Sequence, residues 1–339
     1  MLRKNFVIVM LLAFICASNV LKAQEPIDKF LGRWALHLPG GAGWLEVSNN
    51  NGYIDANILW YGGSVVPADH AYIDGEVLIV SRLRSLVREK ESEGKPAIVQ
   101  TSTEFIKFTF YGDQLVGKKV SPARDGNGVS TSTFTGNKIP DLPGAPDLSN
   151  VKYGKTIKLI NGKDLSGWEL MGENKTNGWS IVKGVLVNNP VQEHGESHVH
   201  YGNLRTTIKF EDFKLKLQVN VPKGSNSGVY LRGIYEVQIL DSYGKKLDSH
   251  HMGALYSRIT PTVAGEKPAG EWQDMEITLC NRHLTVILNG KTIIDNQPVM
   301  GVTGGAMTAC EFKPGPIYLQ GDHGEINYRK MELTPIIKK

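Results

Sequence analysis

Residues 213–221, FKLKLQVNV, alternate apolar and polar side chains without a break. Phe213, Leu215, Leu217 and Val219 fall in one phase, and lysine, glutamine and asparagine fill the other. Successive side chains of a β-strand point to opposite faces, so this run predicts a strand with one buried and one polar face. Such a strand is typical of an antiparallel sheet that is covered on one side.

The segment 226–243, NSGVYLRGIYEVQILDSY, continues the pattern in two strand-like runs. Its alternation predicts that Glu236 and Gln238 share one face, opposite to the aliphatic residues between them. Arg232 belongs to the polar set of the first run, and Asp241 needs a bulge or a strand end to reach the same side. A guanidinium, a carboxylate and an amide on one face suit a polyhydroxylated ligand, although an ordinary solvated sheet face has the same pattern.

Further strand signals follow in this half of the chain. DMEITLC at 274–280 and HLTVILNGKTIID at 283–295 alternate in the same way, and the second run turns at Asn289-Gly290, which is the strongest short hairpin signal. Glycine is abundant, at 37 residues, and helix-period stretches are scarce. Eight or more antiparallel strands of this kind predict a two-sheet sandwich or jelly roll.

Residues 24–137 are also rich in strand and turn signals. GRWALHL at 32–38 alternates apolar and polar residues, as does the run around Phe108, and NNNG at 49–52 is a turn signal between apolar runs. These marks predict a small antiparallel β domain, either a barrel or a strongly curved sheet. Residues 81–95 are the exception, because their charged sequence fits either a short helix or a charged excursion on a hairpin.

Two domains are the natural expectation for 339 residues, because single hydrophobic cores seldom grow that large. Pro140, Pro143 and Pro146 lie in the segment 138–150, and prolines at this spacing favour an extended, semi-rigid linker. The predicted organisation is therefore a β domain at 24–137, a linker at 138–150 and a sandwich domain at 151–339.

Residues 1–23 have the form of a secretory signal peptide. Two cations precede an apolar run that is shorter than the roughly 20 residues of a membrane span, and small or polar residues follow it. The expectation is an exported protein of the periplasm or cell surface of a bacterium, without a stable membrane span. Cys280 and Cys310 remain after removal of this segment, and the sequence leaves their pairing open.

The net charge argues against a nucleic-acid partner. The whole chain carries a formal charge of +4, and the predicted signal peptide contains three of the cations and no acidic residue. The nearly neutral remainder has no electrostatic attraction to a polyanion. No glycine-rich nucleotide-binding fingerprint opens a helix after a strand either.

Seven short motifs occur in the order and approximate spacing of a known family. They are NGKDLSGW at 161, WSIVKGVLV at 179, the block at 226, GALYS at 253, KPAGEW at 267, LNGK at 288 and IYLQGDHG at 317. By these motifs, residues 151–337 resemble the bacterial 3-keto-disaccharide hydrolases, whose domain is described as a 3-keto-glucoside 1,2-lyase and 3-keto-2-hydroxyglucal hydratase. The resemblance implies an all-β fold whose C-terminal part is a concanavalin A-like sandwich.

The resemblance also implies a reaction and a set of residues. A ketone at C3 of a glucoside acidifies the C2 hydrogen, so a base can remove it while the C1 oxygen departs, and water then adds back. Glu236 is the first candidate for base or acid, and His323 is a second proton-transfer group because histidine titrates near neutrality. Arg232 is the candidate donor to the enolate or to a hydroxyl group.

Six further residues are candidate sugar ligands. They are Gln238, Asp241, Asn226, Lys267, Trp272 and Gln320. Gln238 lies one pleat from Glu236, and Trp272 fits a core position as well as a sugar platform.

A divalent metal ion is an open alternative for part of the chemistry. His194, His198 and His200 lie close together with two glutamates, and this spacing is able to ligate an ion that polarises the keto and hydroxyl oxygens. Histidine-rich loops are also frequent without any metal, so the sequence commits to no site.

Two other functions compete with the lyase hypothesis. A retaining glucanase of the same fold needs two carboxyl groups about 5–5.5 Å apart, but the same-face neighbour of Glu236 is the amide of Gln238. A carbohydrate-binding module would bind sugar without cleaving it. The lyase hypothesis adds a functional partner, a dehydrogenase that makes the 3-keto group of the substrate.

Overall fold

The computed structural model describes residues 26–92, 94–192 and 198–338. In these ranges every named regular element is a β-strand and every pairing of named strands is antiparallel, which confirms the predicted all-β class. Nothing in that part of the chain forms a helix of the length and apolar character that a membrane crossing requires. The predicted signal peptide at 1–23 lies outside the described residues.

Nine strands form the first sheet, in the order β4-β3-β2-β1-β9-β8-β7-β6-β5. They are β1 (Gly32–Leu38), β2 (Gly41–Asn50), β3 (Tyr53–Trp60), β4 (Gly62–Pro67), β5 (His70–Asp74), β6 (Val77–Glu89), β7 (Ile98–Tyr111), β8 (Gln114–Pro122) and β9 (Val129–Ile139). The Ala68 N–H donates to the Ala56 carbonyl oxygen at 2.8 Å. This bond draws the β5 end of the sheet back towards β3, and we refer to the curved sheet as the barrel.

The interior of the barrel is filled by the inward-facing residues of each strand, as the alternation at 32–38 predicts. Leu36, Ile58, Leu78 and Phe108 are all 0% exposed. Most of the charged segment 81–95 is strand and not helix, because β6 continues as far as Glu89 and pairs with β7 in a long hairpin. The hairpin alternative for this segment is therefore confirmed.

The remaining strands form two further sheets. The larger has the path β13-β14-β23-β16-β19-β20-β21, with β10 and β11 also paired to β23, and the smaller has the order β12-β15-β22-β17-β18. The strands of the larger sheet are β10 (Lys152–Tyr153), β11 (Ile157–Lys158), β13 (Trp179–Val182), β14 (Val185–Asn188), β16 (Phe213–Asn220), β19 (Trp272–Cys280), β20 (His283–Leu288), β21 (Lys291–Pro298) and β23 (Ile326–Lys338). Those of the smaller sheet are β12 (Trp168–Leu170), β15 (Leu204–Thr206), β17 (Asn226–Leu231), β18 (Tyr235–Leu240) and β22 (Tyr318–Leu319).

These two sheets pack face to face, which confirms the predicted sandwich. Strand β16 buries Phe213, Leu215, Leu217 and Val219 in one cluster with the inward-facing residues of β17 and β18, while its lysines point outwards. Asn289 and Gly290 both have positive φ, at 51° and 80°, as the two-residue hairpin turn between β20 and β21 requires.

The proline-rich segment lies against the sandwich. The Asn296 side chain donates to the Pro146 carbonyl oxygen at 3.0 Å, and Arg282 reaches the Pro140 carbonyl oxygen at 3.4 Å. The domain boundary near residue 148 stays a prediction, although β1–β9 all precede it and the strands of the other two sheets all follow it.

Burial on β16 predicts an asymmetric response to mutation. We expect Leu215→Ala to lower the free energy of unfolding by about 2–5 kcal/mol, because Leu215 is fully buried and its truncation leaves a cavity. Lys216→Ala, next to it on the outward face, is the control and should change stability by less than about 1 kcal/mol. Denaturant unfolding measures both, and equal losses would contradict the assignment of the two faces.

Candidate active site

A row of polar side chains crosses the smaller sheet on the face that points away from the core. Residues directly opposite each other in neighbouring strands project to the same side of a sheet. The strand register aligns Glu169 with Arg205, Arg205 with Tyr318, Tyr318 with Tyr230, and Tyr230 with Glu236. The Glu169–Arg205 end is open to solvent and held by an ion pair of 2.7 Å, whereas the Tyr230–Glu236 end is buried.

Glu236 is the central residue of the buried end. Glu236 is only 4% exposed. The alternative of an ordinary solvated sheet face, which the sequence left open, therefore does not hold at this residue. Its backbone N–H donates to Thr303 Oγ1 at 2.8 Å, and its Oε2 accepts from the Tyr230 hydroxyl at 2.7 Å. Burial raises the pKa of the Glu236 carboxyl to about 7, against the opposing effects of the Tyr230 hydrogen bond and the His323 charge. A carboxyl group with such a pKa is suited to both accept and return a proton near neutral pH.

Tyr230 and Tyr318 form a stacked pair beside this carboxyl group. Their ring centroids are 3.8 Å apart with an interplanar angle of 12°. Burial raises the pKa of both phenols well above its usual value, so both stay protonated. The Tyr230 oxygen lies 2.7 Å from Glu236 Oε2 and 2.8 Å from the Gly304 carbonyl oxygen, and the Tyr318 hydroxyl donates to the Gly305 carbonyl oxygen at 3.0 Å.

The single hydroxyl proton of Tyr230 has two acceptors within reach. When Glu236 is ionised, Tyr230 donates to it. When Glu236 is protonated, the carboxyl group donates to the Tyr230 oxygen, and Tyr230 turns its own proton to Gly304. The hydrogen bond between Tyr230 and Glu236 is therefore kept in both protonation states of the carboxyl group.

Gly228 makes the room that this carboxyl group occupies. A Cβ built on Gly228 would overlap Glu236 Oε1. Its φ is not positive, so the need for glycine is steric and arises from the close approach of a side chain.

Gln238 lies across the strand pair from Gly228 and contributes an unpaired acceptor. It is 3% exposed, and its Nε2 donates to Asn226 Oδ1 at 3.4 Å. Its Oε1 is buried and meets no hydrogen-bond donor among the residues that the structure covers. A buried unpaired acceptor is rare in proteins and fits a hydroxyl donor from a ligand. Gln320 is next to this position, since its N–H donates to the Gly228 carbonyl oxygen at 3.1 Å.

His323 follows β22 on an exposed loop at the same end of the sheet. Its Nδ1 pairs with the carboxylate of Asp322, and this contact is the main reason that the pKa of His323 is raised. The charge of His323 lowers the pKa of Glu236, and the charge of Glu236 raises the pKa of His323.

Arg232 lies elsewhere than the strand alternation suggests. It follows β17 in a turn with φ of 55°, and its guanidinium donates to the carbonyl oxygens of Glu311 and Lys313, both at 2.7 Å. These bonds direct Nε and Nη2 of the guanidinium to backbone carbonyl oxygens. Asp241 follows β18, and its carboxylate accepts from the Gly224 N–H at 2.8 Å, so it stabilises a turn.

Lys267 and Trp272 are not brought together with Glu236. Trp272 begins β19 in the larger sheet, and its ring stacks on the Arg329 guanidinium at 3.9 Å. The residues of β19 that share the face of Trp272 point outwards, on the side of the sandwich opposite to the polar row. The Lys267 ammonium donates to the Trp272 carbonyl oxygen at 3.0 Å. The structure therefore gives no support to a sugar platform at Trp272.

The histidine cluster is only partly described. His194 lies outside the described residues, and the rings of His198 and His200 meet edge to face at 4.9 Å. Over the described ranges, no group of three or more His, Cys, Asp or Glu residues is arranged to hold a metal ion. Cys310 carries a free thiol, so it does not pair with Cys280, which is buried in β19.

Four residues of this site were not predicted from the sequence: Tyr230, Tyr318, Gly228 and Thr303. Alternation gives a local signal for three of them, because it places Gly228 and Tyr230 in one phase of their strand and Tyr318 in the phase of Gln320. Thr303 carries none, because its contact with β18 depends on a loop 67 residues away.

Comparisons with known proteins identify the family to which this part of the chain is similar. Residues 155–334, a little over half of the chain, match the family model of the 3-keto-alpha-glucoside-1,2-lyase-like domain. A curated 3-keto-disaccharide hydrolase from Bacteroides thetaiotaomicron is 26% identical over 148 residues, which are 36% of this chain and 51% of that protein. The chain thus spans about half the length of the curated relative that it matches.

Solved structures with partial similarity come from Parabacteroides distasonis ATCC 8503. One protein, provisionally described as a glycosyl hydrolase, is 26% identical, with 58% of this chain and 92% of that chain covered and a TM-score of 0.44. A second with the same provisional description is 24% identical, with 53% and 98% covered and a TM-score of 0.40.

The raised pKa of Glu236 predicts a specific pH dependence of stability. Between the ordinary value of 4.5 and about 7 the folded protein holds a proton that the unfolded chain has released, so stability falls as the pH rises through this window. We expect the free energy of unfolding of Glu236→Gln, relative to that of the wild type, to rise by up to about 3 kcal/mol from pH 4 to pH 8. Denaturant unfolding at the two pH values measures the difference.

Glu276→Gln is the control of opposite sign. In the wild type, ion pairs with Lys214 and Lys216 lower the pKa of the Glu276 carboxyl against the effect of burial. These ion pairs therefore stabilise the fold at high pH, and the stabilisation is lost at low pH. The same pH dependence in both variants would contradict the assignment of Glu236 as a desolvated carboxyl group.

Proposed function

The chain belongs to the 3-keto-alpha-glucoside-1,2-lyase-like family, and on this premise we propose that it cleaves 3-keto-glucosides, including 3-keto-disaccharides. The reaction begins with removal of the C2 proton and elimination of the C1 oxygen. Rehydration of the resulting double bond completes a net glycosidic hydrolysis. The observation that carries the proposal is the buried carboxyl of Glu236, with a pKa of about 7 and a tyrosine hydroxyl as its partner.

The elimination step balances with groups that the site contains. The keto group at C3 makes the C2 hydrogen acidic, and a base takes that proton while the C1–O bond breaks. The departing oxygen receives a proton and leaves as an alcohol, and the sugar keeps a C1–C2 double bond conjugated to the ketone. Addition of water places OH on C1 and H on C2, so the same base must return a proton.

Glu236 is the proposed base and the acid of the return step. Its raised pKa leaves a substantial ionised fraction near neutral pH and a conjugate acid strong enough to give the proton back. Tyr230 stabilises both states of the carboxyl group through its two acceptors. Thr303 fixes the backbone at Glu236, so the carboxyl group needs little reorganisation between the two steps.

His323 is the proposed acid for the departing oxygen. Asp322 favours its protonated form, and its exposed loop gives it access to solvent for reprotonation. Gln238 and Asn226 are the proposed ligands for sugar hydroxyls, because Gln238 Oε1 is a buried acceptor without a partner in the described part of the chain. Arg232 has no proposed catalytic role, since its donors hold backbone carbonyl oxygens.

The arrangement argues against a two-carboxylate glucanase. Such an enzyme needs a second carboxyl group about 5–5.5 Å from the first. On the strand of Glu236 the same-face neighbour is the amide of Gln238, and the Asp241 carboxylate is engaged with the Gly224 N–H.

We also propose the setting in which this activity operates. A 3-keto-glucoside forms by oxidation of a secondary alcohol, so a separate dehydrogenase has to supply the substrate. The signal-peptide form of residues 1–23 supports an exported protein of the periplasm or cell surface. Activity on unoxidised disaccharides alone would contradict this setting.

A deuterium experiment tests the mechanism. Purified protein is incubated with a 3-keto-glucoside in deuterated water, and C2–H and the anomeric signals are followed by NMR. We expect cleavage with deuterium at C2 of the product, faster than exchange without protein or with Glu236→Gln. Cleavage with C2–H retained would indicate direct hydrolysis, and binding without cleavage would indicate a carbohydrate-binding module. A parallel sample with a chelator tests whether a divalent ion takes part.

The tight fit at Gly228 gives a second prediction. In Gly228→Ala the added methyl group displaces the Glu236 carboxyl, so we expect kcat to fall by about 10²–10⁴, as for Glu236→Gln. Gly144→Ala is the matched control, because no atom lies within 4 Å of a Cβ built on this glycine and its φ is not positive. Initial rates and thermal unfolding are compared. A folded Gly228→Ala protein with wild-type kcat would contradict the role of Glu236.

A further inference from the structure

The barrel packs on the sandwich with an apolar row on its outer surface. Ala35 of β1, Trp44 of β2 and Leu59 of β3 are directly paired across the strands. They point away from the barrel interior, yet their exposures are 7%, 2% and 0%. They belong to the same hydrophobic cluster as the core of the sandwich. The two parts of the chain are therefore joined by a buried apolar contact, which favours a fixed arrangement.

A loop of the sandwich lies at this contact. We name residues 299–307 the crossing loop. The Gly305 N–H donates to the Tyr61 carbonyl oxygen of the barrel at 2.9 Å. A Cβ built on Gly304 would overlap the Gly63 backbone of the barrel. The barrel thus touches the crossing loop backbone to backbone, with no space for a side chain at Gly304.

The same two glycines also contact the stacked tyrosines Tyr230 and Tyr318. The Gly304 carbonyl oxygen is the second acceptor for the Tyr230 hydroxyl, at 2.8 Å, and the Gly305 carbonyl oxygen accepts from Tyr318 at 3.0 Å. The peptide between Gly304 and Gly305 is therefore held by the barrel at its N–H and by Tyr230 at its carbonyl oxygen. A displacement of the barrel at Tyr61 would move the second acceptor of the Tyr230 hydroxyl.

A second connection reaches Glu236 through Arg258. The Arg258 guanidinium lies over the Trp44 ring at 4.2 Å and donates to the Val302 carbonyl oxygen from Nε at 2.8 Å. Val302 precedes Thr303, whose Oγ1 accepts from the Glu236 N–H. Trp44 also packs closely on Gly301, where a Cβ would overlap its indole ring. The barrel therefore fixes the crossing loop on both sides of Thr303.

We propose that the barrel is a positioning element of the active site and that Gly304 is the positioning residue through which it acts. In this arrangement the barrel holds the crossing loop down on Tyr230 and Tyr318, keeps water from the carboxyl group of Glu236 and fixes its orientation. The consequence for turnover rests on the proposed function, whereas the consequence for the titration of Glu236 does not.

The direction in which the pKa of Glu236 should change follows from the groups that face its carboxyl group. These are Tyr230 on β17, Tyr318 on β22, His323 with Asp322 on the following loop, and the buried Tyr328 on β23. None of them lies on the barrel, so lifting the crossing loop changes the access of water more than the neighbouring charges. More water favours the ionised carboxylate, and the pKa of Glu236 should fall towards its ordinary value.

The test variant is Gly304→Ala, whose methyl group forces the crossing loop away from Gly63. Gly62→Ala is the matched control on the barrel side, since a Cβ built there has no atom within 4 Å and its φ is not positive. The full-length proteins are labelled with ¹³C at glutamate carboxyl groups, and the Glu236 signal is assigned by its absence in Glu236→Gln. The titration of this signal, kcat, KM and thermal unfolding are then measured.

We expect the Gly304→Ala protein to titrate Glu236 about one pH unit lower or more, and kcat to fall about tenfold or more with a smaller change in KM. Gly62→Ala should match the wild type in both. A folded Gly304→Ala protein with wild-type titration and kcat would overturn the proposal. If only thermal stability falls, the contact is merely structural and the proposal is likewise overturned.

Trp44→Leu is the second variant, and it changes only the barrel. It removes the ring over which Arg258 lies, and we expect the same downward movement of the Glu236 titration. A wild-type titration in this variant would overturn the proposal even where Gly304→Ala fails to fold. If the wild type does not turn over a 3-keto-glucoside, the proposed function fails, and the carboxyl titrations still decide the positioning role.

Discussion

The burial of one carboxyl group is the constraint on which the rest of the site depends. Glu236 is 4% exposed, and removal from water is the largest influence on its pKa. A buried carboxylate is costly unless it is hydrogen-bonded, and a buried carboxylic acid needs an acceptor. Tyr230 meets both needs because its oxygen also reaches the Gly304 carbonyl. The stacked tyrosines, the glycines and the crossing loop all follow from this need.

Glycine is placed where the covered face has no space for a side chain. Gly228 leaves room for the carboxyl group, and Gly304 lets the barrel meet the crossing loop at backbone distance. Neither position has a positive φ, so a turn conformation does not explain them. The explanation is close packing around a charge that water cannot reach, which makes these contacts intolerant of an added methyl group.

The local features of the fold were predictable from alternation. The strand at 213–221, the turn at Asn289-Gly290 and the shared face of Glu236 and Gln238 follow from residues within ten positions of one another. The cover over that face was not predictable. It depends on Tyr61, which contacts Gly305 from more than 200 positions away. The contacts of Arg232 were not predictable for a related reason, because its guanidinium donates to carbonyl oxygens that lie 79 and 81 positions further on.

The polar row also separates the two needs of the proposed elimination reaction. The buried end gives Glu236 a pKa near 7 and a fixed direction, whereas His323 remains exposed beside it and can exchange protons with solvent. A single exposed carboxylate would have a lower pKa and be a weaker base, and a fully enclosed site would admit no water for the rehydration step. A barrel that covers one end of the row and leaves the His323 loop open satisfies both requirements.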